Sequence, residues 1–338
     1  MEDVARLSID PERRLFSAEH DEILAGLTTD IYFIKSYQLL KHLGMEETVV
    51  TAEIFARQRG VLAGVTEVLR LLGEQPVEVW ALPEGEPFSE MEVLMRITGP
   101  YGRFGIYETA LLGMLASSSG WATAAREAKL AAGECPVLCF GARHVHPAVA
   151  PVMERAALVG GCDGASCVLG AKLGGREPSG TMPHAAILIV GDTLATAVAY
   201  HQCMPPDQAR IVLVDTFKDE AEESLRVAEA MREALQGVRL DTPRERGGVT
   251  PDLVREVRYR LDMAGHHQVR VLVSGGLNPE RIKVLREAGA AAFGVGSYIS
   301  GAVPIDMTMD LKEVAGRPVA KRGRLPGRLE NPRLVRLK

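Results

Sequence analysis

The segment from Ser179 to His184, with the sequence Ser-Gly-Thr-Met-Pro-His, combines a histidine with residues that can approach phosphate closely. An imidazole can act as a nucleophile or a base near pH 7. The hydroxyl of Thr181 and the bare backbone of Gly180 can lie against phosphate oxygens. We interpret the segment as an active-site loop that handles phosphate through His184. Because most histidines carry no chemistry, this interpretation depends on the residues that follow.

Three further segments place reactive side chains directly after short apolar stretches. Phe140 and Arg143 offer a flat aromatic face and a guanidinium that can bind phosphate. Asp215 follows a buried stretch, and Arg239 and Asp241 flank Leu240. Each has an ordinary alternative: a core phenylalanine with a surface arginine, a helix N-cap, and a structural ion pair.

Two glycine-rich segments that end successive predicted strands form the most specific pattern. Ser274, Gly275 and Gly276 end one strand. The next strand ends in a segment whose backbone can also approach a ligand, formed by Gly294, Val295, Gly296 and Ser297. Backbone N–H groups of both segments can bind the oxygens of one phosphate. The pattern therefore predicts a phosphate cup formed by residues 274–276 and 294–297.

Together these residues predict a barrel enzyme that acts on a phosphorylated sugar with an anionic partner. Magnesium is expected to bridge Asp215 and Asp241 to a pyrophosphate. The chain has no G-x4-G-K-[ST] segment, so ATP binding by a P-loop is not indicated.

The elements that position these residues change in character along the chain. Residues up to about 115 read as α+β, with a helix over Ala52–Leu72, strands over Val77–Leu82 and Met91–Ile97, and a helix over Gly105–Ala125. Later, short apolar strands alternate with helices. The predicted strands are Pro136–Phe140, Ile211–Val214, Val238–Leu240, Val271–Val273 and Ala292–Val295. This alternation predicts a parallel sheet with the site at its carboxyl ends.

Bulk composition excludes several classes of protein. A formal net charge of -5 argues against a nucleic-acid binder, and no apolar run approaches the roughly 20 residues of a membrane helix. The acidic start, Met1–Val4, lacks the pattern of a signal peptide, which predicts a cytoplasmic protein. Five cysteines without paired C-x2-C spacing predict reduced thiols and no zinc.

In the order of its motifs the chain resembles nicotinate phosphoribosyltransferase, particularly its shorter archaeal and bacterial form. The motifs are Thr28–Tyr32, Phe140–Arg143, Gly161–Ser166, Gly180–His184, Asp215–Phe217, Arg239–Asp241 and Gly294–Ser297. The resemblance implies an irregular α/β barrel of the type II phosphoribosyltransferase kind with an N-terminal α+β domain. We place the N-terminal domain at residues 1–118, joined by 302–338, and the barrel at 119–301. The implied reaction joins nicotinate to phosphoribosyl pyrophosphate, with ATP as co-substrate.

The resemblance also implies roles for individual residues. His184 matches the histidine that ATP phosphorylates, and Asp215 matches its orienting partner. Phe140 and Tyr32 match the aromatic pair around the pyridine ring. Tyr32 is expected from a second subunit, which implies at least a homodimer and leaves a larger ring of dimers open.

The remaining matched positions concern the anionic groups. Arg143 and Arg239 match residues that bind phosphoribosyl pyrophosphate and the substrate carboxylate, and Thr181 lies in the matching substrate loop. Asp241 matches an acidic residue near the ribose and magnesium. The glycine-rich segments 274–276 and 294–297 match the site of the 5′-phosphate.

Ser166 bears on the choice between acid and amide substrates. Nicotinamide-using relatives have an aspartate at the matching position, so a serine favours nicotinate. Asp163 is an alternative occupant of that position. The chain also departs from some relatives, because it lacks the cysteine pairs of a zinc knuckle and the Ser-Gly-Asp continuation after Asp241.

Three other functions stay open at this point. A decarboxylating quinolinate phosphoribosyltransferase shares the architecture but needs a denser basic pocket and no phosphorylated histidine. A phosphosugar aldolase or isomerase fits the phosphate cup, although no strand end carries an obvious Schiff-base lysine. A catalytically silent protein that senses a pyridine or a nucleotide would not need the intact charged positions.

Overall fold

A computed structural model describes residues 7–338, which fold as two units, each built on a six-stranded sheet. Of the described residues, one unit comprises 7–123 with Val303–Lys338, and the other comprises Ala124–Ala302. The acidic residues Met1–Val4 lie outside the described part of the chain. Among the described helices, none has the length and apolar character required to cross a membrane.

The strands and helices follow in chain order. The strands are β1 Val49–Ala56, β2 Gly60–Val61, β3 Glu78–Ala81, β4 Pro87–Phe88, β5 Val93–Pro100, β6 Val137–Cys139, β7 Gly164–Ala165, β8 Ile211–Leu213, β9 Gly237–Leu240, β10 Arg270–Ser274, β11 Ala292–Val295, β12 Met307–Val314, β13 Arg317–Pro318 and β14 Val335–Arg336. The α-helices are α1 His20–Leu24, α2 Ile31–His42, α3 Val65–Leu72, α4 Tyr101–Phe104, α5 Glu108–Ala132, α6 Ala150–Gly160, α7 Val168–Leu173, α8 His184–Val190, α9 Thr193–Cys203, α10 Glu220–Met231, α11 Pro251–Met263, α12 Pro279–Glu287 and α13 Ser297–Ser300.

The first unit has an antiparallel sheet in the order β13-β12-β1-β5-β3-β14. Apolar side chains such as Ile54, Leu94 and Phe104 are fully buried in its core. The prediction of one helix over Ala52–Leu72 is wrong in its first part, because residues 52–56 belong to β1. Both faces of this central strand are buried, so its near-continuous apolar run imitates the spacing of a helix.

The basic C-terminal segment, residues 317–338, packs along the rest of the first unit. It supplies β13 and β14 to the two edges of the sheet. Glu53, which is buried, accepts a hydrogen bond from the backbone N–H of Leu329 at 3.1 Å and pairs with Arg96 at 2.8 Å. The basic C-terminal segment is therefore held against its own chain.

The second unit has a parallel sheet in the order β7-β6-β11-β10-β9-β8 that curls into a half-barrel. The predicted α/β barrel with an N-terminal domain is confirmed. Because all six strands run in the same direction, their carboxyl ends meet at one edge. The residues that follow these ends form the candidate site.

Candidate active site

His184 and Asp215 meet although they lie on different elements. His184 is the first residue of α8, and Asp215 follows the end of β8. The Nε2 atom of His184 lies 3.0 Å from Oδ2 of Asp215. The Asp215 side chain is 1% exposed and that of His184 is 38% exposed. The pair therefore holds the imidazole by one nitrogen and leaves part of the ring open.

Burial makes Asp215 an unusual carboxylate. Loss of hydration raises the pKa of Asp215, and the hydrogen bond from His184 opposes that rise. Its second oxygen, Oδ1, is buried and has no hydrogen-bond partner among the described residues. One oxygen thus orients the imidazole while the other is left unsatisfied.

Arg239 connects the histidine loop to the phosphate cup. Its Nη1 donates to the hydroxyl of Thr181 at 2.9 Å, and its Nε donates to that of Ser274 at 2.8 Å. Nη2 donates to Oδ2 of Asp241 at 3.3 Å, and the guanidinium lies 5.2 Å from the centre of the Phe140 ring. One side chain therefore contacts four predicted site residues.

The electrostatics around Arg239 mix both signs of charge. Burial lowers the pKa of Arg239, while the carboxylates of Asp241 and Asp215 raise it and the nearby charge of Arg143 lowers it. Arg143 itself is exposed on a single 3₁₀ turn, Ala142–His144. The two arginines and the two aspartates thus share one region.

The two glycine segments lie beside each other across β10 and β11, where Ser274 pairs with Gly294. The Ser274 hydroxyl donates to Oδ1 of Asp241 at 2.8 Å. Gly275 and Gly276 have φ angles of +90° and +60°, which residues other than glycine rarely adopt. The cup therefore requires glycine for its backbone shape.

The loop after β6 covers the second glycine segment. A Cβ atom on Gly294 would lie 2.4 Å from Cε2 of Phe140, and one on Gly296 would lie 2.8 Å from Cε1 of His144. Ser297 begins α13. Only glycine lets these two rings lie against the strand end.

Ser166 and Asp163 lie at opposite ends of their strand. Asp163 precedes β7 and accepts hydrogen bonds from Lys129 Nζ at 2.9 Å and from the N–H of Val137 at 2.8 Å. Ser166 follows β7 at the carboxyl edge. Asp163 therefore does not take the position considered for it, and Ser166 is the residue at this edge.

Tyr32 lies in the first unit, on α2. Its side chain is 56% exposed, and its hydroxyl donates to Oδ2 of Asp30 at 3.1 Å. The other predicted site residues all belong to the second unit. The place of Tyr32 beside the pyridine ring stays a prediction.

Sequence reasoning missed three residues that hold the site. Glu154 accepts hydrogen bonds behind Ser166, Glu220 accepts one from the hydroxyl of Thr242 at 2.8 Å, and His144 contacts the Ser300 hydroxyl at 3.1 Å. Glu154 interrupts an apolar helix, which is a signal that the sequence offers. Glu220 resembles an ordinary acidic residue in the first turn of a helix and offers none.

Most of the chain matches two domains of one known family. Residues 30–119 match the N-terminal domain of quinolinate phosphoribosyl transferase, and residues 121–310 match its C-terminal domain. The chain belongs to the quinolinate phosphoribosyltransferase family. Within this family it is a phosphoribosyltransferase of NAD biosynthesis.

Relatives of the chain have names for more than one reaction. The crystal structure of nicotinate-nucleotide pyrophosphorylase from Pyrococcus furiosus matches with a TM-score of 0.89 and 46% identity, over 94% of this chain and 82% of that one. A nicotinate phosphoribosyltransferase of Mycobacterium tuberculosis is 28% identical over 340 residues, covering 88% of this chain and 75% of that protein. Human nicotinic acid phosphoribosyltransferase, at 21% identity and a TM-score of 0.72 over 89% of this chain and 77% of that one, shares the family fold.

Proposed function

We propose that this phosphoribosyltransferase joins nicotinate to phosphoribosyl pyrophosphate, and that ATP supports the reaction by phosphorylating His184. The observation that carries the proposal is the 3.0 Å contact between His184 Nε2 and Asp215. If Nε2–H donates to this carboxylate, the lone pair of the imidazole lies on Nδ1. Nδ1 can then accept the terminal phosphoryl group of ATP, with ADP as the leaving group.

The balance of charge supports a pyridine with one carboxylate. Arg143 and Arg239 supply two positive charges, and Asp215 and Asp241 supply two negative charges in the same region. A pocket for the two carboxylates of quinolinate would need an excess of positive charge. Decarboxylation also gives no role to a phosphorylated histidine.

Catalysis would depend mainly on position and charge. Phe140 provides a flat face for the pyridine ring, and the cup at 274–276 and 294–297 would hold the 5′-phosphate. The bond to pyrophosphate breaks as positive charge develops on the sugar ring, so holding the pyridine nitrogen in line promotes transfer. Arg239 would stabilise the departing pyrophosphate, and Arg143 would bind the carboxylate of nicotinate.

Magnesium fits one of the two proposed carboxylates better than the other. Oδ1 of Asp215 lacks a partner within the described part of the chain, whereas both oxygens of Asp241 accept hydrogen bonds, from Ser274 and Arg239. No group of three or more His, Cys, Asp or Glu in the described residues could hold a metal ion. Bound together with pyrophosphate, magnesium would screen the charge of the leaving group, and Asp215 is the residue we propose to hold it.

The decisive assay supplies nicotinate, nicotinamide or quinolinate with phosphoribosyl pyrophosphate, with and without ATP. We expect nicotinate mononucleotide and pyrophosphate from nicotinate, with ADP formed alongside. H184A should retain slow synthesis and lose the stimulation by ATP. Equal stimulation by ATP in H184A would exclude the phosphohistidine.

A second candidate function is decarboxylating quinolinate phosphoribosyl transfer. The family match and the name of the Pyrococcus relative favour it. Release of CO2 from quinolinate, together with no product from nicotinate, would establish it and remove our first proposal.

A further inference from the structure

Glu154 is a carboxylate that lies wholly inside the second unit. It belongs to α6 and has no exposed surface. Its Oε1 accepts hydrogen bonds from the Ser166 hydroxyl at 2.9 Å and from the N–H of Ala142 at 3.2 Å. Its Oε2 accepts one from the N–H of Cys167 at 2.5 Å. One side chain thus binds two separate loops at the carboxyl edge of the sheet.

All three partners are donors, and this makes the carboxylate hard to replace. An ionised carboxylate is an acceptor on both oxygens, so it satisfies all three groups. A glutamine would turn an NH2 group toward at least one N–H or O–H donor. Burying a carboxylate is costly, and the three hydrogen bonds offset that cost.

The contacts of Glu154 fall next to two predicted substrate residues. Ala142 directly precedes Arg143, so the bond to its N–H fixes the start of the turn that carries the guanidinium. The Ser166 hydroxyl gives its only proton to Glu154, so its oxygen can offer lone pairs but no proton to a ligand.

We propose that Glu154 is a positioning residue for the pyridine substrate. It acts by fixing the Arg143 turn and by setting the direction of the Ser166 hydroxyl. Recognition of the substrate carboxylate then falls to Arg143, because Ser166 has no proton to donate. This inference rests on the proposed function, with Arg143 and Ser166 at the pyridine site as the family resemblance implies.

The main test compares E154Q with a matched control, E223Q. Glu223 is equally buried in the same unit, on α10, and pairs with Arg226 at 3.0 Å. We expect E154Q to raise KM for nicotinate about tenfold, equivalent to one lost interaction of moderate strength, and to change KM for phosphoribosyl pyrophosphate by less than about twofold. E223Q should lower the melting temperature without changing either KM.

Variants of Arg143 and Ser166 test whether Glu154 acts through these two residues. Adding E154Q to R143A should raise KM for nicotinate by much less than E154Q does alone, because both changes remove the same contact. S166A removes one of the three hydrogen bonds that hold Glu154 and leaves both N–H bonds in place. It should therefore loosen the Arg143 turn less than E154Q does and raise that KM about threefold. S166A also serves as the test if E154Q does not fold.

A purely structural role predicts a different result. In that case folded E154Q would lose melting temperature like E223Q and keep its KM for nicotinate, and this outcome, or an unchanged KM in S166A, would overturn the inference. If the wild type converts quinolinate and not nicotinate, the proposed function fails. The same variants measured with quinolinate then test Glu154 separately.

Discussion

At the scale of single residues, Glu108 has a carboxyl group whose pKa lies well above its ordinary value. It begins α5 in the first unit. Burial raises the pKa of Glu108 to about 7, with a further rise from the charge of Asp310 and a smaller opposing effect of Lys321. A group of this kind makes stability depend on pH.

The direction of that dependence follows from the two states. The folded chain holds the Glu108 proton more tightly than the unfolded chain, whose glutamate titrates near its ordinary value of 4.5. Stability therefore falls as pH rises from about 4.5 through about 7, and the loss is complete above that range. E108Q should have a higher melting temperature than the wild type at about pH 8, and this difference in melting temperature should vanish below about pH 4.5.

The measurement is a series of thermal melts across this range of pH. E90Q removes an exposed carboxylate of the same unit and should give a flat difference from the wild type. A melting difference for E108Q that does not change with pH would show that the carboxyl group is not held in its protonated form.

At the scale of elements, the loop after β6 and the end of β11 fit together through Phe140 and Gly294. A Cβ atom at 294 would meet the ring at 2.4 Å, so G294A must push the ring away. We expect G294A to lose about 1–3 kcal/mol of unfolding free energy and to raise KM for the pyridine substrate more than KM for phosphoribosyl pyrophosphate.

A second glycine provides the control. A Cβ atom on Gly113, within α5, would have no neighbour within 4 Å. G113A should therefore gain about 0.5–1 kcal/mol from helix propensity and leave both KM values unchanged. Denaturant melts and steady-state kinetics measure both variants, and an unmoved pyridine KM in G294A would contradict the role given to Phe140.

The elements of the second unit were predictable because each buried parallel strand is a short apolar run that ends in polar or glycine residues. That pattern led to Asp215, Arg239 and Ser274. It failed in β1, where a strand buried on both faces has no alternation to distinguish it from a helix. It also missed Glu154, because a glutamate that interrupts an apolar helix does not by itself show which loops its carboxylate binds.

At the scale of the whole molecule, the candidate site belongs to the second unit, whereas Tyr32, the predicted aromatic partner of Phe140, belongs to the first. Phe140 belongs to the second unit, and Tyr32 is exposed in the first. We propose that Tyr32 completes the pyridine site of another copy of the chain. A site shared between copies can be tested by complementation.

The test mixes two variants that are each expected to be nearly inactive, Y32A and R239A, after dissociation and reassociation. In random dimers half of the molecules are mixed, and one of the two sites in each is intact, so about a quarter of wild-type activity should return. If Tyr32 served the site of its own chain, each mixed dimer would have two damaged sites and no activity would return. Each variant incubated with itself is the control.

The contact between Phe140 and Gly294 also limits how this chain can diverge. The two residues lie far apart in the sequence, yet neither can change size alone without a collision or a gap. A related sequence with a side chain at position 294 needs a smaller residue at position 140 or a shifted loop after β6. Positions 140 and 294 should therefore vary together among related sequences. If the proposed pyridine pocket were altered to bind a bulkier ring, both positions would have to change.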